Sequence, residues 1–243
     1  MNAVTKKEIN KPMIEEAVRN ILLALGQDVD NDANLKETPK RVAKMYSEIY
    51  EGVLYTNEEI AIMYDKGFPL GEDEDGDSVY SKNYDEFVCV KNIRVYSTCS
   101  HHLVPMILDV AIAYVPTDKV VGLSKMPRIA KMVGRRPQLQ EQIGKDIAEV
   151  MSIITGSDDV AVLISGRHMC VEMRGVNETH SVTDTAYFGG KFKTDPTRSR
   201  PSTQPGCGPG RIPAVRSVRS GHRRRHRWCK APTDRSKRTD SWC

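Results

Sequence analysis

Two short runs of this chain hold side chains of the kind that bind metals and move protons. They are Cys99-Ser100-His101-His102 and His168-Met169-Cys170, in 243 residues with six cysteines and six histidines. Thiolate and imidazole are the preferred donors of zinc, which takes four ligands in a tetrahedron. Cys-x-x-His lets residues 99 and 102 converge from a turn. His-x-Cys would set residues 168 and 170 on one face of a strand, where side chains alternate with period two. The runs lie 66 residues apart, so the fold must unite them. Either run alone is a weak sign, because a free cysteine often serves as a small buried apolar residue; together they point to a metal site. Five candidate donors leave the ligand set open. Four would close the tetrahedron and make the metal structural. Three would leave a place for water, which the metal acidifies, and at least one imidazole free for acid–base work. Cys89 has no histidine neighbour and reads as a core residue.

Between the runs lies Gly122-Leu123-Ser124-Lys125-Met126-Pro127-Arg128. Ser124, Lys125 and Arg128 fall at a strand-to-helix junction, where backbone N–H groups, a hydroxyl and two cations could hold phosphates. The Gly-rich run of a P-loop is missing, and a solvated basic helix face is the plainer alternative. Glu141 falls at a helix start, where a carboxylate favours the dipole. Arg174 adds a cation beside the second Cys/His run.

Apolar spacing shows what must position these groups. Ile14, Val18, Ile21, Leu22 and Leu25 make one stripe of a helix within residues 7–27. Thr38-Pro39 opens a second helix, with Thr as the expected N-cap. Thr56-Asn57-Glu58-Glu59 has the spacing of a capping box. Gly71 to Asp77 is acidic and loop-like. Strands are expected at 87–90, 93–96, 106–115, 159–165, 169–174 and 181–188, and helices at 125–134 and 138–154. Helices first, then strands in neighbouring runs with a pair of helices between them, indicate an α+β fold with a mainly antiparallel sheet.

Charge divides the chain. Residues 197–243 carry 13 Lys or Arg and 2 Asp or Glu, a balance of +11, and residues 1–196 carry a balance of −7, so the overall +4 describes neither part. No segment approaches the ~20 apolar residues of a membrane span, and the start lacks the apolar stretch of a secretory signal. A cytoplasmic protein without membrane partners is the expectation.

The segments Glu37-Thr38-Pro39-Lys40-Arg41-Val42, Cys99-Ser100-His101-His102, Ala113-Tyr114-Val115-Pro116, Gly122-Leu123-Ser124-Lys125, Arg136-Pro137-Gln138-Leu139-Gln140-Glu141 and His168-Met169-Cys170-Val171-Glu172-Met173-Arg174-Gly175 together resemble GTP cyclohydrolase I, in that family's order, over about residues 10–196. The resemblance implies a tunnelling fold: an antiparallel sheet with two helices on one face, behind an N-terminal helical region. It implies one zinc per subunit on Cys99, His102 and Cys170, with the fourth position left for water, and catalytic histidines at His101 and His168. It assigns the GTP triphosphate to Ser124, Lys125, Arg128, Arg174 and Arg41, the last reaching a neighbouring subunit's site. Glu141, with Gln140 beside it, falls on the guanine anchor, and a carboxylate suits the guanine N1–H and 2-amino donors. The implied reaction opens the imidazole ring of GTP at C8, releases formate, rearranges the ribose and closes to 7,8-dihydroneopterin triphosphate. The implied assembly is a decamer with sites between subunits.

The resulting organisation is a helical region over 1–64, an acidic linker over 65–85, a catalytic domain over 86–196 and a basic tail over 197–243. Two departures from the family stand out within the body. Ser100 replaces the usual Glu between the zinc Cys and the catalytic His, and Ser165-Gly166-Arg167 replaces a small-acidic pattern. An impaired zinc-binding paralogue, acting as scaffold or regulator, is therefore the alternative. The tail, with Arg223-Arg224-Arg225-His226-Arg227-Trp228, has the composition of a disordered end, and this is favoured over nucleic-acid binding. Its abrupt enrichment in Arg, Pro, Gly, Ser, Cys and Trp also fits translation out of frame.

Overall fold

The computed structural model describes residues 7–69, 71–72, 78–80 and 87–194. The tail, and the acidic run 73–77, lie outside the described residues. The chain opens with α1 (Lys11–Ala24), capped by Asn10, whose side chain accepts from the Met13 N–H. Arg19 binds Asp30 through two 2.8 Å contacts and ties α1 to the following loop. α1 packs on α2 (Thr38–Ile49) yet buries none of its residues, and Ile21 and Leu25 of the expected stripe stay exposed. In α2 the N-cap is Glu37 rather than Thr38. Thr38 is already helical, and its hydroxyl donates back to the Asn34 carbonyl.

A 3-10 turn (Glu51–Leu54) leads to α3 (Asn57–Tyr64), which starts with the expected capping box. Glu59 N–H donates to Thr56 Oγ1, and Thr56 N–H donates to the Glu59 carboxylate. The segment read as a linker contains strands: β1 (Gly67–Pro69), which pairs with β6, and β2 (Gly71–Glu72), which pairs with β3 (Ser78–Tyr80).

The main sheet uses β4 (Val88–Cys99), β5 (Pro105–Tyr114), β7 (Pro137–Gln138), β8 (Val160–His168) and β9 (Thr183–Phe188), in the order β7-β4-β5-β8-β9. All neighbours are antiparallel except β7, which runs parallel to β4. The two strands expected at 87–90 and 93–96 are one strand with an irregularity. The register shifts between Val90 and Ile93, and Asn92 takes a φ of 59° there, a left-handed conformation Asn tolerates better than most residues.

After β6 (Lys119–Val121), α4 (Lys125–Gly134) and then α5 (Gln140–Thr155) lie on one face of the sheet. Their Met126, Ile129, Val133, Ile143, Ile147, Met151 and Ile154 bury against Val95, Leu108, Val110, Ile112, Val162 and Ile164. Burial of each such side chain contributes about 1.5–3 kcal/mol. A smaller cluster joins Ala113, Val115 and Ala161 to Phe192 of α7 (Gly190–Thr194).

Arg136 fastens the N-terminal helices to this body. Its guanidinium donates to the carbonyls of Gly52 (3.0 Å) and Tyr55 (2.9 Å), to Asn57 Oδ1 (2.8 Å) and to the Asp146 carboxylate (3.0 Å). Both charged side chains are largely buried. Gly52 permits the close approach, since a Cβ there would meet the Met132 carbonyl oxygen at 2.3 Å. Removing one partner of a buried pair strands the other charge. Arg136→Ala is therefore expected to lower unfolding free energy by about 3–5 kcal/mol in denaturant titration; a loss under about 1 kcal/mol, the size of a surface pair, would contradict this role.

Candidate functional site

β5 carries the register that unites the two Cys/His runs. Its first residue, Pro105, lies opposite Thr98, and Met106 lies opposite His168. The last residues of β4 and of β8 are thus held at the same end of the sheet. Beyond Cys99 the chain turns tightly: Leu103 N–H donates to the Cys99 carbonyl, and Cys99 N–H donates to the Val104 carbonyl. Leu103 takes a φ of 53° to close the turn. His102 returns beside Cys99, its Nδ1 3.9 Å from Cys99 Sγ.

The strand expected at 169–174 is instead the helical turn α6 (Met169–Glu172), closed by Met173 N–H donating to the Met169 carbonyl. The reason is a missing partner. β5 begins at Pro105, which would face Met169 without an N–H to donate, so the β8 ladder ends at His168, and the chain satisfies its own amides. His168 and Cys170 therefore do not share a strand face; His168 ends the strand and Cys170 sits in the turn. Arg167 steadies this turn through two contacts to the Glu172 carboxylate, at 2.8 and 2.6 Å, with the Glu172 side chain only 8% exposed. This pair was not legible in the sequence, where Arg167 appears only as a departure from pattern.

Cys99 Sγ, a His102 ring nitrogen and Cys170 Sγ all lie within 4.8 Å of one another. This group can hold a metal ion. Two thiols and an imidazole suit a soft divalent cation. Burial pushes the Cys170 thiol pKa up, and the adjacent Cys99 pushes it further, with Arg174 opposing. Without a metal the Cys170 thiol form is thereby favoured, and a metal ion binding there would displace its proton.

His168 is half-buried, and burial lowers its imidazole pKa below the ordinary value, with the Glu141 and Glu172 carboxylates partly opposing. Burial thus favours the neutral imidazole. Its Nε2 lies 2.8 Å from Gln140 Oε1. His101 is exposed in the turn, edge-on to the His102 ring. Arg174 Nη1 lies 3.0 Å from His102 Nε2. Glu141, in the first turn of α5, stands at the edge of a groove lined by Gly144, Lys145, Thr185 and Tyr187. Gln140 turns the other way, into the protein, and is 1% exposed. Ser100 is exposed, and its N–H donates to the Gln138 carbonyl.

The structure does not bring the other cations to this group within one chain. Ser124, Lys125 and Arg128 open α4 just after β6, and Val121 N–H donates to the Tyr114 hydroxyl. Tyr114 lies eight residues along β5 from Met106, roughly 26 Å at the ordinary strand rise. The N-terminus of α4 is therefore at the opposite end of the sheet from His168. Arg41 is exposed in the first turn of α2.

An antiparallel sheet backed by two helices, with a thiol–imidazole group and a half-buried histidine at one end, defines a candidate metal-dependent enzyme. A sequence profile of the GTP cyclohydrolase I family matches residues 14–204. Proteins named GTP cyclohydrolase 1 from Clostridium botulinum (strain Loch Maree / Type A3) and Ruminiclostridium cellulolyticum are 49% and 50% identical, over 189 and 188 residues; each match covers 77% of this chain and 93% of the relative. A crystal structure of dihydroneopterin aldolase from Burkholderia thailendensis bound to guanine is 15% identical, spans 42% of this chain and 90% of its own, and aligns with a TM-score of 0.28, too low to bear on the fold. The chain belongs to the GTP cyclohydrolase I family, and its mainly antiparallel sheet with two helices on one face has the α+β layout expected from the sequence.

Cobalt(II) reports thiolate ligation directly by absorption. Cys170→Ala is expected to abolish the thiolate-to-cobalt band that the unsubstituted chain develops on titration; an undiminished band would show that Cys170 is no ligand.

Proposed function

We propose that this chain is a GTP cyclohydrolase I, opening the imidazole ring of GTP at C8 with release of formate and forming 7,8-dihydroneopterin triphosphate. The observation that carries the reading is the convergence of Cys99, His102 and Cys170 at the sheet end that also carries His168, in a chain of this family. Those three residues would hold zinc. When bound there, zinc supplies Lewis-acid activation of water toward neutral pH.

The chain's own residues supply the rest. Glu141 accepts hydrogen bonds from the guanine N1–H and 2-amino group, which fixes the ring's orientation. His168 and His101 exchange protons with the ring nitrogens as the C–N bonds break, since an imidazole can both take and return a proton. Ser124, Lys125, Arg128 and Arg174 hold the triphosphate, together with Arg41. Lys125 and Arg128 stand at the far end of the sheet from His168, so they serve the site of a second copy. This separation supports a homo-oligomer with sites between subunits, a decamer as in the family. No helix among the described residues is long and apolar enough to cross a membrane, and we place the enzyme in the cytoplasm.

The full chain with zinc and GTP is expected to release formate and, after oxidation, to yield fluorescent neopterin. A zinc-loaded protein that releases no formate would overturn the reading. Ser100 favours one alternative, an impaired paralogue, because the carboxylate usual at that position is missing. Ser100→Glu would then create activity where the unsubstituted chain has none.

Shared sites have a further consequence. Lys125→Ala and His168→Asn chains are each expected to fall at least about 100-fold in turnover, and co-assembled mixtures to regain a substantial fraction. Mixtures no more active than either parent would show that each site is built within one chain.

A further inference from the structure

Gln140 is buried at the start of α5, and each of its polar atoms has a protein partner. Its amide nitrogen donates to the main-chain carbonyls of Ile164 (3.2 Å) and Thr183 (2.8 Å), and to Thr185 Oγ1 (3.1 Å). Two carbonyl oxygens can only accept, so they fix which end of the amide carries the N–H groups. The oxygen Oε1 must then face His168, and it lies 2.8 Å from Nε2. An amide oxygen only accepts as well, so His168 Nε2 must donate. The geometry places a proton on Nε2, so whenever the imidazole carries a single ring proton, that proton is on Nε2.

Gly166 on β8 makes the arrangement possible. A Cβ at this position would stand 2.2 Å from Gln140 Oε1 and 2.6 Å from Leu108 Cδ2. The slot for the amide oxygen exists because the strand carries no side chain there. The Ser165-Gly166-Arg167 segment, visible in the sequence only as a departure from pattern, thus has a physical role.

We infer that Gln140 is a positioning residue: seated in the slot at Gly166 and anchored to β8 and β9, it holds His168 as the Nε2–H tautomer and leaves Nδ1 as the nitrogen free to take a proton. This rests on the proposed cyclohydrolase reaction for its catalytic consequence, but the tautomer itself does not. It also separates Gln140 from Glu141 in role. Glu141 is exposed, and Gln140 acts through His168.

Gln140→Leu removes the acceptor and both anchoring donors at similar volume. Its kcat is expected to fall about 100-fold, within the range a positioned acid–base group contributes, with KM within about twofold of the unsubstituted enzyme. A residue touching guanine would raise KM at unchanged kcat; that result, or unchanged values of both, would overturn the inference. Should the variant misfold, the unsubstituted zinc-loaded protein still decides. With histidine ring nitrogens labelled with 15N, and the His168 signals identified by their loss in His168→Asn, Nε2 is expected to be protonated and Nδ1 bare at pH 8. A protonated Nδ1 would overturn the inference. Failure of the unsubstituted protein to turn over GTP would count against the proposed reaction instead, and the nitrogen spectrum would still settle the tautomer.

Discussion

The register of β5 against its two neighbours is the constraint on which the site depends. Thr98 opposite Pro105 and Met106 opposite His168 place the ends of β4 and β8 side by side. A register change moves side chains in two-residue steps or flips their faces, so a slip in either pairing would part Cys99 from Cys170. The helices α4 and α5 lock that register by burying one face of the three strands. Pro105 contributes twice: it starts β5, and by ending the ladder it frees the chain after His168 to coil into the turn that carries Cys170.

Much of this was legible in residue spacing. The helices of the N-terminal region, the pair α4 and α5, and most strands follow from apolar periodicity and from the Thr56 capping box. The metal group was legible as two runs of donors, but its ligand set was not, because spacing does not show which of five donors converge. The resemblance narrowed the set, and the three residues it implied are those the fold brings together. Three features escaped for physical reasons. β4 reads as two strands because its irregularity at Asn92 interrupts the alternation. Residues 169–174 read as a strand because β propensity says nothing of whether a partner strand exists. Gln140 reads with Glu141 because neighbours on a helix diverge by about 100°, given 3.6 residues per turn, and only the packed structure shows which one turns inward.

Charge gives a second view of the same design. The body is acidic, at −7 over residues 1–196, so attraction for a triphosphate has to be local. The cations proposed for it lie at opposite ends of the sheet, with Lys125 and Arg128 at one end and Arg174 beside His102 at the other. A repeating assembly can join those ends between chains. Among the described residues, apolar side chains of α1 such as Ile21 and Leu23 also stay exposed. Both features fit a protomer whose chemistry is completed by its neighbours.

The proposed zinc site has three protein donors, Cys99, His102 and Cys170, and a fourth position left open. X-ray absorption at the zinc edge of the purified protein tests it most directly. The account predicts two sulfur neighbours at about 2.3 Å, one imidazole at about 2.0 Å and one further light donor without an imidazole scattering pattern. A shell of two sulfurs and two imidazoles, closed by His101 or His168, would contradict it.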